Sequence, residues 1–172
     1  SPSITPMLSP DQLDILRAHG EERTAAAGEV LFKIGDERYP LIALLEGEAT
    51  IRDRDGNEIV RHRATGFLGE TNLLSGMTVY ITAVAETPLR YIAVEREALR
   101  ELLSEEGRLA DLLLSTFIAR REGLQVRGGI GVEVFGPRDS AATREAVEFL
   151  RLSRLPFTWH NTAHGDGSEV IE

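Results

Sequence analysis

Short apolar runs alternate with turn residues between Glu22 and Val94, and this alternation limits the possible fold more than any other feature. The runs are rich in Val, Ile, Leu and Thr, and they cover residues 30–32, 41–45, 49–51, 59–60, 83–85 and 91–94. Turn residues lie between them, and Asp55-Gly56 is a strong hairpin signal. Many short strands with turns at intervals of about 8–12 residues predict a β-sandwich or barrel.

Helices are predicted on both sides of this β-region. Before it, Ser9, Pro10 and Gln12 form a capping-box pattern with proline at the first helical position. After it, we expect a short helix over 96–103 and a longer one over 108–122, which carries an apolar stripe at helical spacing. The predicted fold class is therefore mainly β, an antiparallel β-barrel or jelly roll with flanking α-helices.

The pattern changes again after the long helix. A strand is predicted over 130–135, a helix over 141–153 that Ser140 can cap, and a second strand over 156–159. Together these elements form one βαβ unit, which cannot cover both faces of a sheet by itself. The polar end, 160–172, does not complete this unit, so we expect the chain to be a piece of a longer protein.

These patterns divide the chain into three parts. The first domain covers residues 8–123, a glycine-rich linker covers 124–129, and a partial βαβ segment with a polar tail covers 130–172.

Composition narrows the possible functions. The net charge of -9 argues against binding to nucleic acid or to an anionic membrane surface. The absence of cysteine excludes disulfides, thiolate metal sites and cysteine nucleophiles. No apolar stretch approaches the ~18 residues that a membrane span needs, and no Ser/His/Asp set has a recognisable nucleophile context. We expect a cytoplasmic protein that has neither a metal site nor catalytic residues in this stretch.

The glycines of the β-region have a characteristic arrangement. They are Gly28 before the run 30–32, Gly35 in the turn with Asp36, Gly47 between two strands, and the two glycines of Gly66-Phe67-Leu68-Gly69-Glu70. In these features residues 27–85 resemble the cyclic-nucleotide-binding domain family, and with the flanking helices the resemblance covers roughly 8–123. The last motif matches the start of that family's phosphate-binding cassette.

The resemblance implies a ligand site in the cassette. In that family a glutamate accepts a hydrogen bond from the ribose 2′-hydroxyl, and an arginine nine residues later pairs with the phosphate. Backbone N–H groups of a short helix and of the turn complete the anion site. The ligand-binding residues implied here are Gly69, Glu70, Thr71, Asn72, Thr78, Val79 and Tyr80.

Val79 stands where the family has its arginine, and this departure decides what we expect of binding. Valine neither donates a hydrogen bond nor neutralises a phosphate, and losing a charged hydrogen bond costs ~1.5–3 kcal/mol. At ~1.4 kcal/mol per decade, binding of cyclic AMP or cyclic GMP is weakened at least tenfold. Two alternatives stay open: Arg61 or Arg63 replaces the arginine, or Asn72, Thr78 and Tyr80 line a pocket for an uncharged ligand.

Residues 131–159 resemble the opening βαβ of a thioredoxin- or glutaredoxin-like fold. The turn over 135–142 holds no cysteine, so this segment cannot perform dithiol chemistry. The order of the two segments resembles the N-terminal regulatory part of bacterial flavoproteins of the thioredoxin-reductase type. FAD and NADPH would then belong to a part of the protein beyond Glu172.

We therefore predict a non-catalytic regulatory or sensor domain that takes a small-molecule effector. The first resemblance also implies a homodimer formed through the long helix over 108–122. Two alternatives remain: a transcription regulator of the cyclic-AMP-receptor type, and a structural oligomerisation module.

Overall fold

The computed structural model describes residues 3–75, 79–126, 132–153, 157–162 and 167–169. It separates into two compact units, Ser1–Arg121 and Glu122–Glu172.

The first unit contains eight strands within the described ranges. They are β1 (Glu21–Ala25), β2 (Val30–Phe32), β3 (Leu41–Glu46), β4 (Glu48–Arg52), β5 (Glu58–Arg63), β6 (Phe67–Leu68), β7 (Thr82–Ala85) and β8 (Leu89–Val94). They form two antiparallel four-stranded sheets, with strand orders β1-β8-β3-β6 and β2-β7-β4-β5. The prediction of an antiparallel β-fold with flanking helices is confirmed.

The core follows from the sequence of the central strands. In β3 the first four residues, Leu41 to Leu44, are all buried. The connection from β3 to β4 is a single residue, Gly47, whose φ of +94° lies in the left-handed region. A Cβ at Gly47 would lie 2.4 Å from the carbonyl oxygen of Pro88. Glycine at this position therefore allows both the turn and the close approach of the neighbouring chain.

Five helices lie within the described ranges of the whole chain. They are α1 (Pro10–His19), α2 (Asn72–Ser75), α3 (Arg96–Glu105), α4 (Gly107–Val126) and α5 (Ala141–Leu152). The predicted capping box of α1 is confirmed, because the Ser9 hydroxyl accepts from the Gln12 N–H at 3.2 Å and the Ser9 N–H donates to the Gln12 side chain at 2.9 Å.

The long helix α4 continues past its predicted end at residue 122. Gly123 does not stop it, because one glycine inside a helix costs only about 1 kcal/mol relative to alanine. Residues 124–126, which we assigned to the linker, are helical. The remainder of the predicted linker, 127–129, lies outside the described residues.

The second unit contains α5 and three strands within its described residues: β9 (Val132–Gly136), β10 (Phe157–Asn161) and β11 (Gly167–Glu169). The predicted βαβ unit is confirmed, because β9 and β10 pair in parallel and α5 connects them. As predicted, the Ser140 side chain caps α5, accepting from the Thr143 N–H at 3.4 Å. The Trp159 indole donates to the Gly136 carbonyl at 2.9 Å.

The polar end of the chain contains a strand that we did not predict. β11 pairs antiparallel with β10, with Trp159 opposite Glu169. Residues 160–172 carry no apolar alternation that would indicate a strand, but pairing between strands uses backbone groups of any residue. The polar end therefore extends the sheet by one edge strand, which the sequence analysis did not predict.

Across the stretches that the structure describes, no helix is both long and apolar enough to cross a membrane.

Candidate ligand-binding site

The candidate site begins where β6 ends. β6 pairs with β3, which places Gly69 and Glu70 against the core of the first unit. A Cβ at Gly69 would lie 2.9 Å from the Leu41 side chain and 3.3 Å from the ring of Phe117 on α4. Only glycine lets the backbone pass this closely between the sheet and the helix.

The four-residue helix α2 follows Glu70 and forms one turn. The Leu73 N–H donates to the Glu70 carbonyl and the Leu74 N–H to the Thr71 carbonyl, each at 3.1 Å. Asn72 is buried, and the Thr71 hydroxyl oxygen is buried without a hydrogen-bond partner among the described residues. The cassette helix that the resemblance implied is therefore present, with an unsatisfied polar atom beside Glu70.

Two arginines of α3 hold the end of α2. Arg96 donates from Nε to the Leu73 carbonyl at 2.7 Å, and Arg100 donates from Nη2 to the Leu74 carbonyl at 2.5 Å. These carbonyls lie at the end of a helix, where they have no partner within the helix itself. The sequence analysis did not identify these two arginines, because nothing in the pattern of α3 distinguishes them from solvent-exposed charges.

Glu70 is a buried carboxyl group with only 5% of its surface exposed. Burial raises the pKa of Glu70 to about 7, because the ionised form loses its hydration. A hydrogen bond from the Tyr39 hydroxyl, at 3.4 Å, counteracts this rise. The positive charges of Arg121 and Arg120 and a backbone hydrogen bond from Asn72 act in the same direction.

Arg120 binds the backbone around the start of the cassette. Its guanidinium donates to the carbonyls of Gly69 at 2.9 Å, Phe67 at 2.8 Å and Ile4 at 2.9 Å. The same group lies over the Phe67 ring, 4.6 Å from its centroid. Burial lowers the pKa of Arg120 to about 10, although the negative charge of Glu70 favours the cation.

The sequence analysis missed Arg120, although a signal for it was present. Arg120 follows Leu113 and Phe117 at helical spacing, so it falls on the buried stripe of α4. An arginine on such a stripe requires acceptors inside the fold, and three carbonyls supply them.

Val79 is buried, with 1% of its surface exposed. Its N–H donates to the Asp36 carbonyl at 3.1 Å, and its carbonyl accepts from the Gly35 N–H at 2.9 Å. The backbone of Val79 is therefore paired with the turn after β2, and its side chain adds an apolar surface. Tyr80 is half-buried beside it, and Thr78 lies outside the described residues.

Arg61 and Arg63, the two candidates for replacing the cassette arginine, are both paired with carboxylates. Arg61 pairs with Glu58 at 2.9 Å and with Glu48 at 3.1 Å. Arg63 is 74% exposed and pairs with Glu48 at 3.1 Å. Burial raises the pKa of both Glu70 and Tyr80, and a different arginine, Arg121 of α4, lies close enough to both groups for its charge to oppose this rise.

Two antiparallel four-stranded sheets, a short helix after a buried glutamate and flanking helices are consistent with a jelly-roll fold. Residues 22–106 match the family model of the cyclic nucleotide-binding domain. Residues 22–106 are therefore a cyclic nucleotide-binding domain. No curated protein sequence is similar enough to the chain to count as a match.

Three solved structures illustrate the similarity in fold. The catabolite activator protein of Thermus thermophilus has 22% identity and a TM-score of 0.58; the match covers 86% of this chain and 61% of that one. The N-terminal domain of a transcriptional regulator from Streptomyces coelicolor A3(2) has 29% identity and a TM-score of 0.51, with 67% and 84% covered. A structure described as Sp-2Cl-cAMPS bound to PKAR CBD2 has 20% identity and a TM-score of 0.57, with 68% and 77% covered.

The raised pKa of Glu70 makes the stability of the domain depend on pH. Between pH values of about 4.5 and 7, the folded protein holds a proton on Glu70 that the unfolded chain releases, so this group reduces stability as the pH rises. In Glu70→Gln the group is removed, while an oxygen that accepts from Tyr39 is kept. We expect the stability of Glu70→Gln relative to the wild type to rise across this range, by up to about 3 kcal/mol, and to stay constant above it.

Urea unfolding of both proteins at several pH values between 4.5 and 8 measures this difference. Burial lowers the pKa of His62 to about 3, but His62 is present in both proteins, so its contribution cancels in the comparison. A difference that does not change over this range would contradict the prediction.

Proposed function

We propose that the first domain is a non-catalytic regulatory or sensor domain whose affinity for cyclic nucleotides is weak or lost. The observation that carries this proposal is Val79, a buried apolar residue at the cassette position where the family has an arginine. A cyclic phosphate placed against it would lose its water without gaining a charged donor, which is unfavourable.

The charges around the cassette support weak binding. Three N–H groups of Arg120 donate to backbone carbonyls, so a phosphate would have to compete with these contacts for the guanidinium. Glu70 repels an anion whenever it is ionised. An effector without a phosphate avoids both difficulties, and the Thr71 hydroxyl, Asn72 and Tyr80 offer polar groups to it.

Restoring the cation tests this proposal. Val79→Arg is expected to increase the affinity for cyclic AMP at least tenfold, because a charged hydrogen bond is worth ~1.5–3 kcal/mol. Isothermal titration calorimetry on the 172-residue chain measures the change. Val79→Met is the matched control, since it adds length at the same position without charge.

Saturable binding of cyclic AMP by the wild type at low micromolar concentration would contradict the proposal. So would an equal gain in Val79→Arg and Val79→Met.

We further propose that the chain is the N-terminal part of a thioredoxin-reductase-like flavoenzyme. The order β9-α5-β10, with parallel outer strands, supports this because it is the opening unit of a thioredoxin-like fold. The alternative is a transcription regulator, and the likeness to the Thermus thermophilus and Streptomyces coelicolor proteins favours it. A structural oligomerisation module is the third possibility.

The full-length protein distinguishes these alternatives. We expect it to be purified with bound FAD and to oxidise NADPH when a disulfide substrate is present, and we expect the 172-residue chain to do neither. Absorption spectroscopy and an NADPH assay measure the two properties. A full-length protein that lacks flavin and binds duplex DNA would support the transcription regulator instead.

We also propose that the protein forms a homodimer through α4. Leu114 and Ile118 support this, because they are 39% and 55% exposed and lie one helical turn apart on the same face. Apolar residues on an exposed helix stripe are commonly covered by a second copy.

Charge placed on this stripe tests the dimer. Ile118→Glu is expected to shift the protein from dimer to monomer at micromolar concentration, because an ionised carboxylate would be buried at the contact. Sedimentation velocity measures the state. Ala18→Glu, which adds the same charge at an exposed position of α1, serves as the control. A wild type that sediments as a monomer would refute the dimer.

A further inference from the structure

Tyr39 faces the cassette from the loop between β2 and β3, at a position that the sequence analysis did not identify. Only 4% of its surface is exposed, and its ring packs against Phe32 with the ring centroids 4.5 Å apart. Its hydroxyl donates to Oε1 of Glu70 at 3.4 Å. Tyr39 is therefore held inside the domain by its ring, while its polar end reaches the cassette.

The loop that carries Tyr39 is fixed to the cassette from two directions. The turn at Gly35 and Asp36 pairs with both backbone groups of Val79. Arg96 bridges the loop and α2, since its guanidinium donates to the Glu37 carbonyl at 3.2 Å as well as to Leu73. The contact between Tyr39 and Glu70 thus belongs to a closed arrangement of loop and cassette.

The phenol oxygen of Tyr39 lies among the polar groups of the cassette. Burial and the charge of Glu70 raise the pKa of Tyr39, while hydrogen bonds from the backbone of Glu70 and Leu73 lower it. The geometry shows the phenol oxygen bound to the Glu70 carboxylate at 3.4 Å. A carboxylate oxygen that accepts from one hydroxyl can accept from a ligand hydroxyl in its place.

We propose that Tyr39 is a specificity-determining residue whose hydroxyl occupies the place on Glu70 that a ligand hydroxyl would take. This inference rests on the proposed function, in which the cassette is the ligand site. A ligand hydroxyl can bind Glu70 only by displacing the phenol. The hydrogen bond that the ligand makes then replaces the one from Tyr39, so the hydroxyl adds little to the affinity. The site therefore distinguishes poorly between a ribose and a 2′-deoxyribose.

The test compares cyclic AMP with 2′-deoxy cyclic AMP in the Val79→Arg variant, with and without Tyr39→Phe. Calorimetric titrations at pH 8 keep Glu70 ionised. Without Tyr39→Phe, we expect the two ligands to bind with similar affinity. With it, we expect cyclic AMP to bind at least about fivefold tighter while the 2′-deoxy form is unchanged, since one hydrogen bond to a carboxylate is gained.

Phenylalanine keeps the ring packing on Phe32, so the fold is retained and only the hydroxyl is removed. Tyr91→Phe is the control, because it removes the same atom from a buried tyrosine of β8. The inference is overturned if the ratio of the two affinities does not change with Tyr39→Phe, or if Tyr91→Phe changes it equally.

The failure of this inference and that of the proposed function give different results. An increase in affinity from Val79→Arg without any effect of Tyr39→Phe rejects the role of Tyr39 and leaves the proposed function standing. If Val79→Arg does not bind cyclic AMP, the proposed function fails. The role of Tyr39 is then tested with the Tyr39→Phe single variant. Binding of cyclic AMP by that variant alone supports the role of Tyr39, and absence of binding rejects it.

Discussion

A carboxyl group held out of water is the constraint on which the rest of the cassette depends. Removing Glu70 from solvent costs free energy, and the fold offsets this cost with a phenol, a backbone N–H group and two nearby guanidinium groups. These groups come from three parts of the first unit: the phenol from the loop after β2, the N–H group from α2, and both guanidinium groups from α4. The packing of the helix and of the loop is therefore tied to the electrostatics of one side chain.

Three arginines around the cassette bind backbone carbonyls rather than carboxylates. Arg96, Arg100 and Arg120 each donate to carbonyl oxygens at chain ends or junctions, where no regular partner exists. A guanidinium suits this role because it presents several donors in one plane and stays charged when buried. These cations therefore fix the shape of the cassette backbone. The position at which the family has its phosphate-binding arginine holds Val79, which carries no charge.

The sequence predicted the sheets, α1 and the βαβ unit because their signals are local: alternation, capping residues and glycine turns. It also located the cassette, since Glu70 and Val79 lie at a fixed spacing from the glycines. It did not indicate Tyr39 or Arg120, whose partners are 31 and 51 or more residues away. Contacts of this kind depend on how sheets and helices pack, and β11 was missed for the related reason that its pairing uses backbone groups alone.

Arg120 joins residues that are far apart along the chain, because one guanidinium holds both Ile4 and Gly69. Such a contact closes long loops of the chain. The entropy lost on closing them is offset only after most of the domain has assembled. We therefore expect the junction between β6 and α2 to acquire its native geometry late in folding. In a chain emerging from the ribosome, this junction would stay incomplete until most of α4 had been synthesised, even though all its own residues precede that helix.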